Sequence, residues 1–285
     1  MRMPTLGGRT VAITEARRAT ELATLIRKLG GVAYSAPAVR EVPRRDLQPA
    51  LAVLERICRN EVAAVIFLTG VGTRAVLELA DTVQRRPALL EALRGLLVVA
   101  RGPKPLAVLR ELAVPVWVDV PEPNTWRELL HAVDAHRDEQ PLQGARVALQ
   151  EYGVSNPELL DELDRRGARV LRVPVYRWAL PEDLTPLKNA VSAIAAGAVD
   201  VAIFTTSVQL VHLWQIVDEM HVEAQVRDGL ARAVVGSIGP TTSEELRRRG
   251  LDVDLEASHP KFGLLVRELA ERSAELRRAK RTAQD

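Results

Sequence analysis

Small polar residues follow several short apolar runs of the chain, where they could bind a carboxylate or a phosphate. Backbone N–H groups at the start of a helix attract anions, and neighbouring hydroxyls add hydrogen bonds. Helix capping uses the same residue types, and Thr241 with Glu244 fits a capping box. If these turns converge on one cleft, they favour an extended polyanionic ligand. The residues concerned are Thr14, Thr69, Gly70, Gln150, Tyr152, Gly153, Thr205, Thr206, Ser207, Gly239, Thr241 and Thr242.

Two tyrosines lie among or near these polar turns. Tyr152 follows Gln150 closely, and Tyr176 lies in the segment PVYRWALP, residues 174–181. A phenol that faces a hinge between domains could donate a proton to a leaving group. A tyrosine that only packs at a domain junction would occupy the same position, so both interpretations stay open.

The common catalytic motifs are missing from the sequence. It contains no GxGxxG after the first apolar run and no P-loop, HExxH, DxDxG or GxSxG pattern. The five histidines lack the spacing of metal ligands, and the single cysteine, Cys58, lies on the apolar face of an expected helix. The sequence therefore predicts no metal site and no nucleophile of these known kinds.

An internal duplication organises the chain. The turn GPKP at 102–105 recurs as GPTT at 239–242, an offset of 137 residues (239 − 102). The run VIFLT at 65–69 recurs as AIFTT at 202–206 with the same offset. An offset that persists along the chain indicates one repeated structural unit.

Each repeat alternates short apolar runs, typical of buried strands, with amphipathic helical segments. The first strands, GRTVAIT at 8–14 and GARVALQ at 144–150, align with a slip of one residue. Apolar strands that alternate with helices indicate a parallel sheet covered on both faces. The predicted fold class is α/β, with two similar doubly wound parallel-sheet domains. Ligands of such domains bind beyond the carboxyl ends of the strands.

Proline bounds two segments in equivalent positions, PAVREVP at 37–43 and PVYRWALP at 174–181. A proline biases the residue before it toward an extended backbone. We therefore expect both segments to be extended connectors that form a hinge between the domains.

Charge and hydropathy exclude several classes of protein. The 285 residues include 39 basic and 37 acidic side chains, interleaved along the chain. No block of like charge indicates a nucleic-acid arm or a membrane patch, and no apolar run is long enough to span a bilayer. The N-terminus lacks the apolar stretch of a signal peptide, which predicts a cytoplasmic protein. The basic end, LRRAKRTAQD, is expected to be a fraying tail.

Taken in order, the motifs resemble uroporphyrinogen-III synthase over roughly residues 8–270. They are the VDVAIFTTS strand, the LQEYG turn, the PVYRWALP connector and VVGSIGPTTSEELRRRGL. The resemblance implies two α/β domains joined by a two-stranded extended hinge, with the active site in the interdomain cleft. The implied boundaries are residues 1–37 with 182–272 for the first domain, 44–173 for the second, 38–43 and 174–181 for the hinge connectors, and 273–285 for a C-terminal tail.

Members of this family cyclise hydroxymethylbilane, a linear tetrapyrrole with eight carboxylates, to uroporphyrinogen III. The hydroxyl leaves as water to give an azafulvene, ring D is attacked at its substituted carbon, and a spiro intermediate recloses with that ring inverted. The resemblance implies this lyase activity in tetrapyrrole and haem biosynthesis, without a cofactor. The substrate is reactive, so positioning and charge stabilisation would carry catalysis. We expect a monomer that binds this small molecule but neither nucleic acid nor membrane.

The resemblance assigns Tyr176 as the proton donor to the departing hydroxyl. It places substrate-binding residues in the strand-end turns of both repeats, and one departure concerns Thr14, which is followed by Glu15 where the family has arginine. Arg17 could take the place of that arginine. Pro105 stands where the family often has threonine, so that turn loses a hydroxyl. The implied set is Thr14, Arg17, Thr69, Gly70, Arg101, Gly102, Lys104, Gln150, Tyr152, Gly153, Thr205, Thr206, Ser207, Gly239, Thr241 and Thr242.

Two other functions fit the sequence. A two-lobed α/β module could close on a small anionic ligand, as a sensor or binding protein does, without catalysis. A nucleotide-sugar transferase also has twin doubly wound domains, although this chain is short for one. Supplying hydroxymethylbilane and identifying the uroporphyrinogen isomers would separate these functions from the synthase.

Overall fold

The computed structural model describes residues 4–136, 142–151, 153 and 155–284. The chain divides into two compact units, which we call unit 1 (Met1–Arg40 with Ala179–Asp285) and unit 2 (Glu41–Trp178). Each unit is an α/β domain built on a five-stranded parallel sheet. The predicted fold class is therefore confirmed.

The elements alternate between strands and helices along almost the whole chain. In chain order they are β1 (Thr10–Ile13), α1 (Ala19–Lys28), β2 (Val32–Ser35), β3 (Arg40–Pro43), α2 (Gln48–Cys58), β4 (Ala64–Phe67), α3 (Gly70–Thr82), α4 (Arg86–Gly95), β5 (Leu97–Ala100), α5 (Pro103–Glu111), β6 (Val118–Asp119), α6 (Trp126–Asp134), β7 (Arg146–Gln150), α7 (Pro157–Arg165), β8 (Arg169–Val173), β9 (Tyr176–Ala179), α8 (Thr185–Ala195), β10 (Val201–Phe204), α9 (Ser207–Met220), α10 (Glu223–Arg232), β11 (Val234–Ser237), α11 (Pro240–Arg248), β12 (Leu255–Glu256) and α12 (Phe262–Gln284).

The two sheets share one topology. Unit 1 has the strand order β12-β11-β10-β1-β2, and unit 2 has the order β6-β5-β4-β7-β8. Helix bounds repeat as well: α2 and α8 begin 137 residues apart (185 − 48), and so do α5 and α11 (240 − 103). The duplication inferred from the sequence is thus a duplication of structure.

Alternation along the strands explains why both faces of each sheet are buried. Successive side chains of a strand point to opposite faces. In unit 1, Val11 and Ile13 join the core beneath α1 and α12, whereas Ala12 joins the core on the other face. In unit 2, Phe67 and Ile66 divide in the same way between two cores. Polar groups are therefore left to the strand ends, where the candidate site residues lie.

The two proline-bounded segments contain β3 and β9, which form a separate two-stranded sheet. The boundaries between the units at residues 40 and 178 fall within these strands. The prediction that both segments are extended is confirmed.

Three local predictions need correction. Helix α11 has Gly239 as its N-cap, with no side-chain capping bond, because Pro240 occupies the first helical turn and sets the start. The capping box predicted for Thr241 and Glu244 is therefore wrong. The apolar run VPVWV, residues 114–118, also predicts a strand, but only Val118–Asp119 pairs, since Pro115 has no N–H to donate to a neighbouring strand.

The C-terminal segment LRRAKRTAQD, expected to be a fraying tail, is instead helical as part of α12 as far as Gln284. Lys280 anchors it: the ammonium lies 2.6 Å from the carboxylate of Asp254 and donates to the carbonyl of Ala233 at 2.7 Å. Arg277 forms an ion pair with Asp200. Both acids also accept a strand amide, so the segment is bound to the amino edge of the sheet rather than frayed.

No helix in the described part of the chain is long and apolar enough to cross a membrane.

Candidate active site

The phenol of Tyr176 meets a hydroxyl at the carboxyl edge of the unit 2 sheet. Thr69 follows β4 as the N-cap of α3, and its oxygen accepts the amide of Gly72 at 3.0 Å. The same oxygen lies 3.3 Å from the phenolic oxygen of Tyr176. Tyr176 is only 5% exposed, and its ring packs edge-on against Trp178 with centroids 5.6 Å apart. The structure therefore brings together two of the residues selected from the sequence.

Gln150, at the end of β7, fixes the turn that carries Thr69. Its side-chain oxygen accepts the amides of Leu68 and Thr69, each at 3.1 Å, and the residue is 1% exposed. The amide lies directly over Gly72, where an added Cβ would be 1.9 Å from Nε2 of Gln150. Gln150 thus holds the turn in shape, and glycine is required beneath it.

Glycines allow a second turn to pack closely against the first. A Cβ on Gly70 would lie 2.9 Å from the carbonyl oxygen of Lys104, so the starts of α3 and α5 are in contact. Gly102 has φ of +92° and lies beneath Asn124, whose side chain donates to the carbonyl of Val120 at 2.7 Å. The Lys104 side chain is exposed at this edge.

Arg101 and Gly153, two further residues selected from the sequence, contribute through their backbone near this edge of unit 2. The amide of Arg101 donates to the carbonyl of Phe67 at 2.9 Å, which continues the pairing of β5 with β4. Gly153 has φ of +89°, and a Cβ there would lie 2.5 Å from the Trp178 ring and 2.9 Å from the Tyr176 ring. Tyr152 lies outside the described residues.

A buried polar network lies at the carboxyl edge of unit 1. The side-chain oxygen of Gln209 accepts the Thr205 amide at 2.8 Å and the Thr14 hydroxyl at 2.9 Å. The hydroxyl of Thr205 donates to the carboxylate of Glu15 at 2.6 Å and accepts from Nε2 of Gln209 at 2.8 Å. The hydroxyls of Thr14 and Thr205 are therefore engaged within the protein.

Glu15 joins this network to the turn before α1. One of its oxygens accepts the amides of Arg17 and Arg18 at 3.0 and 3.3 Å, and Glu15 is 9% exposed. The arginine turn is consequently held in place by a buried carboxylate, while the Arg17 side chain is exposed. Sequence reasoning noted Glu15 only as a departure from the family pattern and did not select Gln209 at all.

The other candidate residues of unit 1 lie at the starts of helices α9 and α11. Thr206 caps α9 by accepting the amide of Val208 at 3.3 Å, and Ser207 opens the helix, partly exposed. In α11, Thr241 is exposed and Thr242 is 3% exposed. The first turn of a helix leaves amides without intrahelical acceptors, which is the arrangement that binds carboxylates.

Ser237, which sequence reasoning missed, shapes the turn before α11. Its hydroxyl accepts the amide of Gly239 at 3.3 Å and donates to the carbonyl of the same residue at 3.0 Å, fully buried. No local pattern marks this serine, because its role depends on the backbone of the turn. Among the described residues, no group of three or more histidine, cysteine or acidic side chains could hold a metal ion.

The sequence profile of the uroporphyrinogen-III synthase HemD family matches residues 20–267. The chain belongs to this family. A mutant uroporphyrinogen III synthase of the extremely thermophilic bacterium Thermus thermophilus has the same fold, with a TM-score of 0.72, 25% identity, and coverage of 94% of this chain and 99% of the other. The uroporphyrinogen-III synthetase of Helicobacter pylori 26695 shares the fold at a TM-score of 0.51 and 18% identity, over 92% and 98% of the two chains.

A protein of similar sequence also occurs in Bacillus subtilis strain 168. This protein, the uncharacterized protein YjjA, is 28% identical over 267 residues, which are 92% of this chain and 95% of the relative. The resemblance to the synthase family inferred from the motifs is confirmed. Within that family, the roles of the individual site residues of this chain stay predictions.

Proposed function

We propose that this chain is a uroporphyrinogen-III synthase, which cyclises hydroxymethylbilane with loss of water and inversion of ring D. The observation that supports it best is the pair formed by Thr69 and Tyr176, 3.3 Å apart at the carboxyl edge of a parallel sheet in a member of the synthase family. Ligands of doubly wound domains bind at that edge. A phenol there can give a proton to a leaving hydroxyl.

The hydrogen bonds around Thr69 suggest how the phenol is used. Its oxygen already accepts the amide of Gly72, so we assign its hydrogen to the phenolic oxygen of Tyr176. The phenolic proton is then directed elsewhere and can pass to the substrate hydroxyl, which leaves as water. The hydroxyl of Thr69 would stabilise the phenolate that results, because a hydrogen bond to a charged form favours it. A proton released when the ring system becomes aromatic again restores the phenol.

The strand-end turns supply groups for the eight carboxylates. Helix starts offer amides, the exposed side chains of Arg17 and Lys104 offer positive charge, and Ser207 and Thr241 offer accessible hydroxyls. Three other polar residues are engaged in the protein's own hydrogen bonds, and we propose that they shape the turns rather than bind the substrate through their side chains. These are Thr14, Gln150 and Thr205.

The isomer composition of the product tests this proposal. Hydroxymethylbilane cyclises unaided to uroporphyrinogen I, so the reaction without protein provides the background. We expect the chain to convert the substrate mainly to isomer III, measured by chromatography of the oxidised porphyrins. Isomer I alone, at the rate of buffer, would refute the synthase function.

A non-catalytic module that binds an anionic ligand is the second candidate. The burial of Tyr176 against Trp178 favours it, because a packed tyrosine needs no catalytic role. Such a module would bind uroporphyrin, an octacarboxylate, without forming isomer III. The two measurements together therefore separate the candidates.

A further inference from the structure

A groove of about 570 Å³ lies beside α1 in unit 1 and ends at the first turn of α12. Leu22, Leu25 and Phe262 form its apolar part. We call this feature the α1 groove. Its size falls in the range of pockets that bind small organic ligands, which combine apolar walls with a few charged groups.

The charged lining of the α1 groove is mostly basic. Arg17, Arg18 and Lys28 contribute three cations, against the single acid Glu21, which forms an ion pair with Arg18. No carboxylate in the described part of the chain pairs with the ammonium of Lys28. The groove therefore presents net positive charge to a ligand.

An aromatic ring lies among these cations. The guanidinium of Arg18 lies 5.0 Å from the ring centroid of Phe262, and its side chain is still 54% exposed. A flat heterocycle could pack on the apolar side chains while its carboxylates face the cations. Charge and shape together favour an aromatic or heteroaromatic acid.

The buried carboxylate of Glu15 holds the arginine end of the groove in place. It accepts the amides of Arg17 and Arg18, and its second oxygen accepts the hydroxyl of Thr205. The mouth of the groove is therefore tied to the turn between β10 and α9, which belongs to the candidate active site. Such preorganisation lowers the entropy cost of binding.

We propose that the α1 groove binds one pyrrole ring of the linear tetrapyrrole, with its carboxylates on Arg17, Arg18 and Lys28. This inference rests on the proposed function for the identity of the ligand. Phe262 packs against the ring, and Glu15 acts as a positioning residue for the arginines. A groove outside the strand-end turns would thereby help to fix the conformation in which the substrate closes.

Porphobilinogen is a suitable probe, because it is a single pyrrole with one acetate and one propionate. Titration followed by amide NMR should give saturable shifts in residues 17–28 and 262–263. Lys28→Met and Phe262→Leu should weaken this binding about three- to tenfold. Arg27→Met is the matched control, since Arg27 is an exposed cation of the same helix that does not line the groove.

Several outcomes would overturn the proposal. They are the absence of a saturable shift up to roughly 10 mM probe, shifts confined to other parts of the chain, or equal losses in Lys28→Met and Arg27→Met. In the synthase assay, Lys28→Met should raise KM by a similar factor and leave kcat within about twofold. If the wild-type chain forms no isomer III, the proposed function fails, whereas the NMR titration still decides whether the groove binds a pyrrole acid.

Discussion

The hydroxyl of Thr69 lies 3.3 Å from the phenol of Tyr176, although 107 positions separate the two residues in the chain. Because Thr69 also accepts the amide of Gly72, this contact couples the start of a helix to the candidate proton donor. At this point β9, which pairs with β3 outside the unit 2 sheet, lies beside the turn that follows β4.

Tyr176→Phe should lower kcat by about 100-fold, because it removes the proton donor but keeps the ring that packs against Trp178. Affinity for uroporphyrinogen III should change much less than kcat. Stopped-time assays of isomer III and equilibrium binding of the product measure the two effects. Tyr34→Phe, at a partly buried position of β2, provides the control. An unchanged kcat in Tyr176→Phe would remove the phenol from the mechanism.

Thr69→Val should lower kcat about tenfold, since the phenolate would lose the hydrogen bond that stabilises it. It should also cost about 1 kcal/mol of stability, because the N-cap of α3 is lost. Thr69→Ser keeps both hydrogen bonds and should restore activity. If Thr69→Val and Thr69→Ser have the same kcat and the same pH–rate profile, the hydroxyl acts only as a cap.

Gly72→Ala should destabilise the protein by about 1–3 kcal/mol, because the new methyl group would overlap the amide of Gln150. Gly95→Ala is the matched control, as a Cβ at the end of α4 has nothing within 4 Å. Chemical denaturation of the single variants and of Gly72→Ala/Gln150→Ala measures the effect. The double variant should lose less than the sum of its single variants. Strict additivity would show that the contact does not decide the cost.

His212 should make stability depend on pH. Its Nδ1 lies 2.7 Å from the carbonyl of Ala38, and burial lowers the pKa of the imidazole below its ordinary value of 6.5. A depressed pKa means that the folded state resists protonation. The free energy of unfolding should therefore be unaffected by this group above pH 6.5 and fall as the pH drops from 6.5 toward the lower folded pKa, by at most about 1.4 kcal/mol per pH unit.

Urea denaturation between pH 7 and pH 5 would measure this dependence. His212→Gln should lose most of the slope below pH 6.5, whereas His221→Gln, at an exposed position, should keep it. An identical slope in the wild type and His212→Gln would show that other groups cause the acid sensitivity.

The fold was predictable because it depends on periodic patterns within each repeat. The alternation of Val11, Ala12 and Ile13 between two cores follows from strand geometry alone. Helix starts were less predictable, since Thr241 with Glu244 and Thr125 with Glu128 both fit a capping box. Only Thr125 forms one, because Pro240 shifts the start of α11.

The polar network of the candidate site depends on distant contacts that no local pattern reveals. Glu15 meets the hydroxyl of Thr205 across 190 positions, and Gln209 reaches Thr14 across 195. The sequence placed Thr14 and Thr205 at strand ends, which the structure bears out, but it could not show that their hydroxyls are already engaged. Which of the exposed groups meet the substrate stays a prediction.

In each unit a buried glutamine accepts backbone amides of a strand-end turn, but the glutamine comes from a strand in unit 2 and from a helix in unit 1. In unit 2, Gln150 at the end of β7 accepts the amides of Leu68 and Thr69 in the turn after β4, and its side chain lies over Gly72 of α3. In unit 1, Gln209 of α9 accepts the amide of Thr205 and the hydroxyl of Thr14. In the repeat, Gln209 is the equivalent of Gly72, and Thr14 is the equivalent of Gln150. A glutamine at both positions would collide, and a glutamine at neither would leave the turn amides unpaired. Chimaeras that mix the two halves must therefore exchange these residues as a pair.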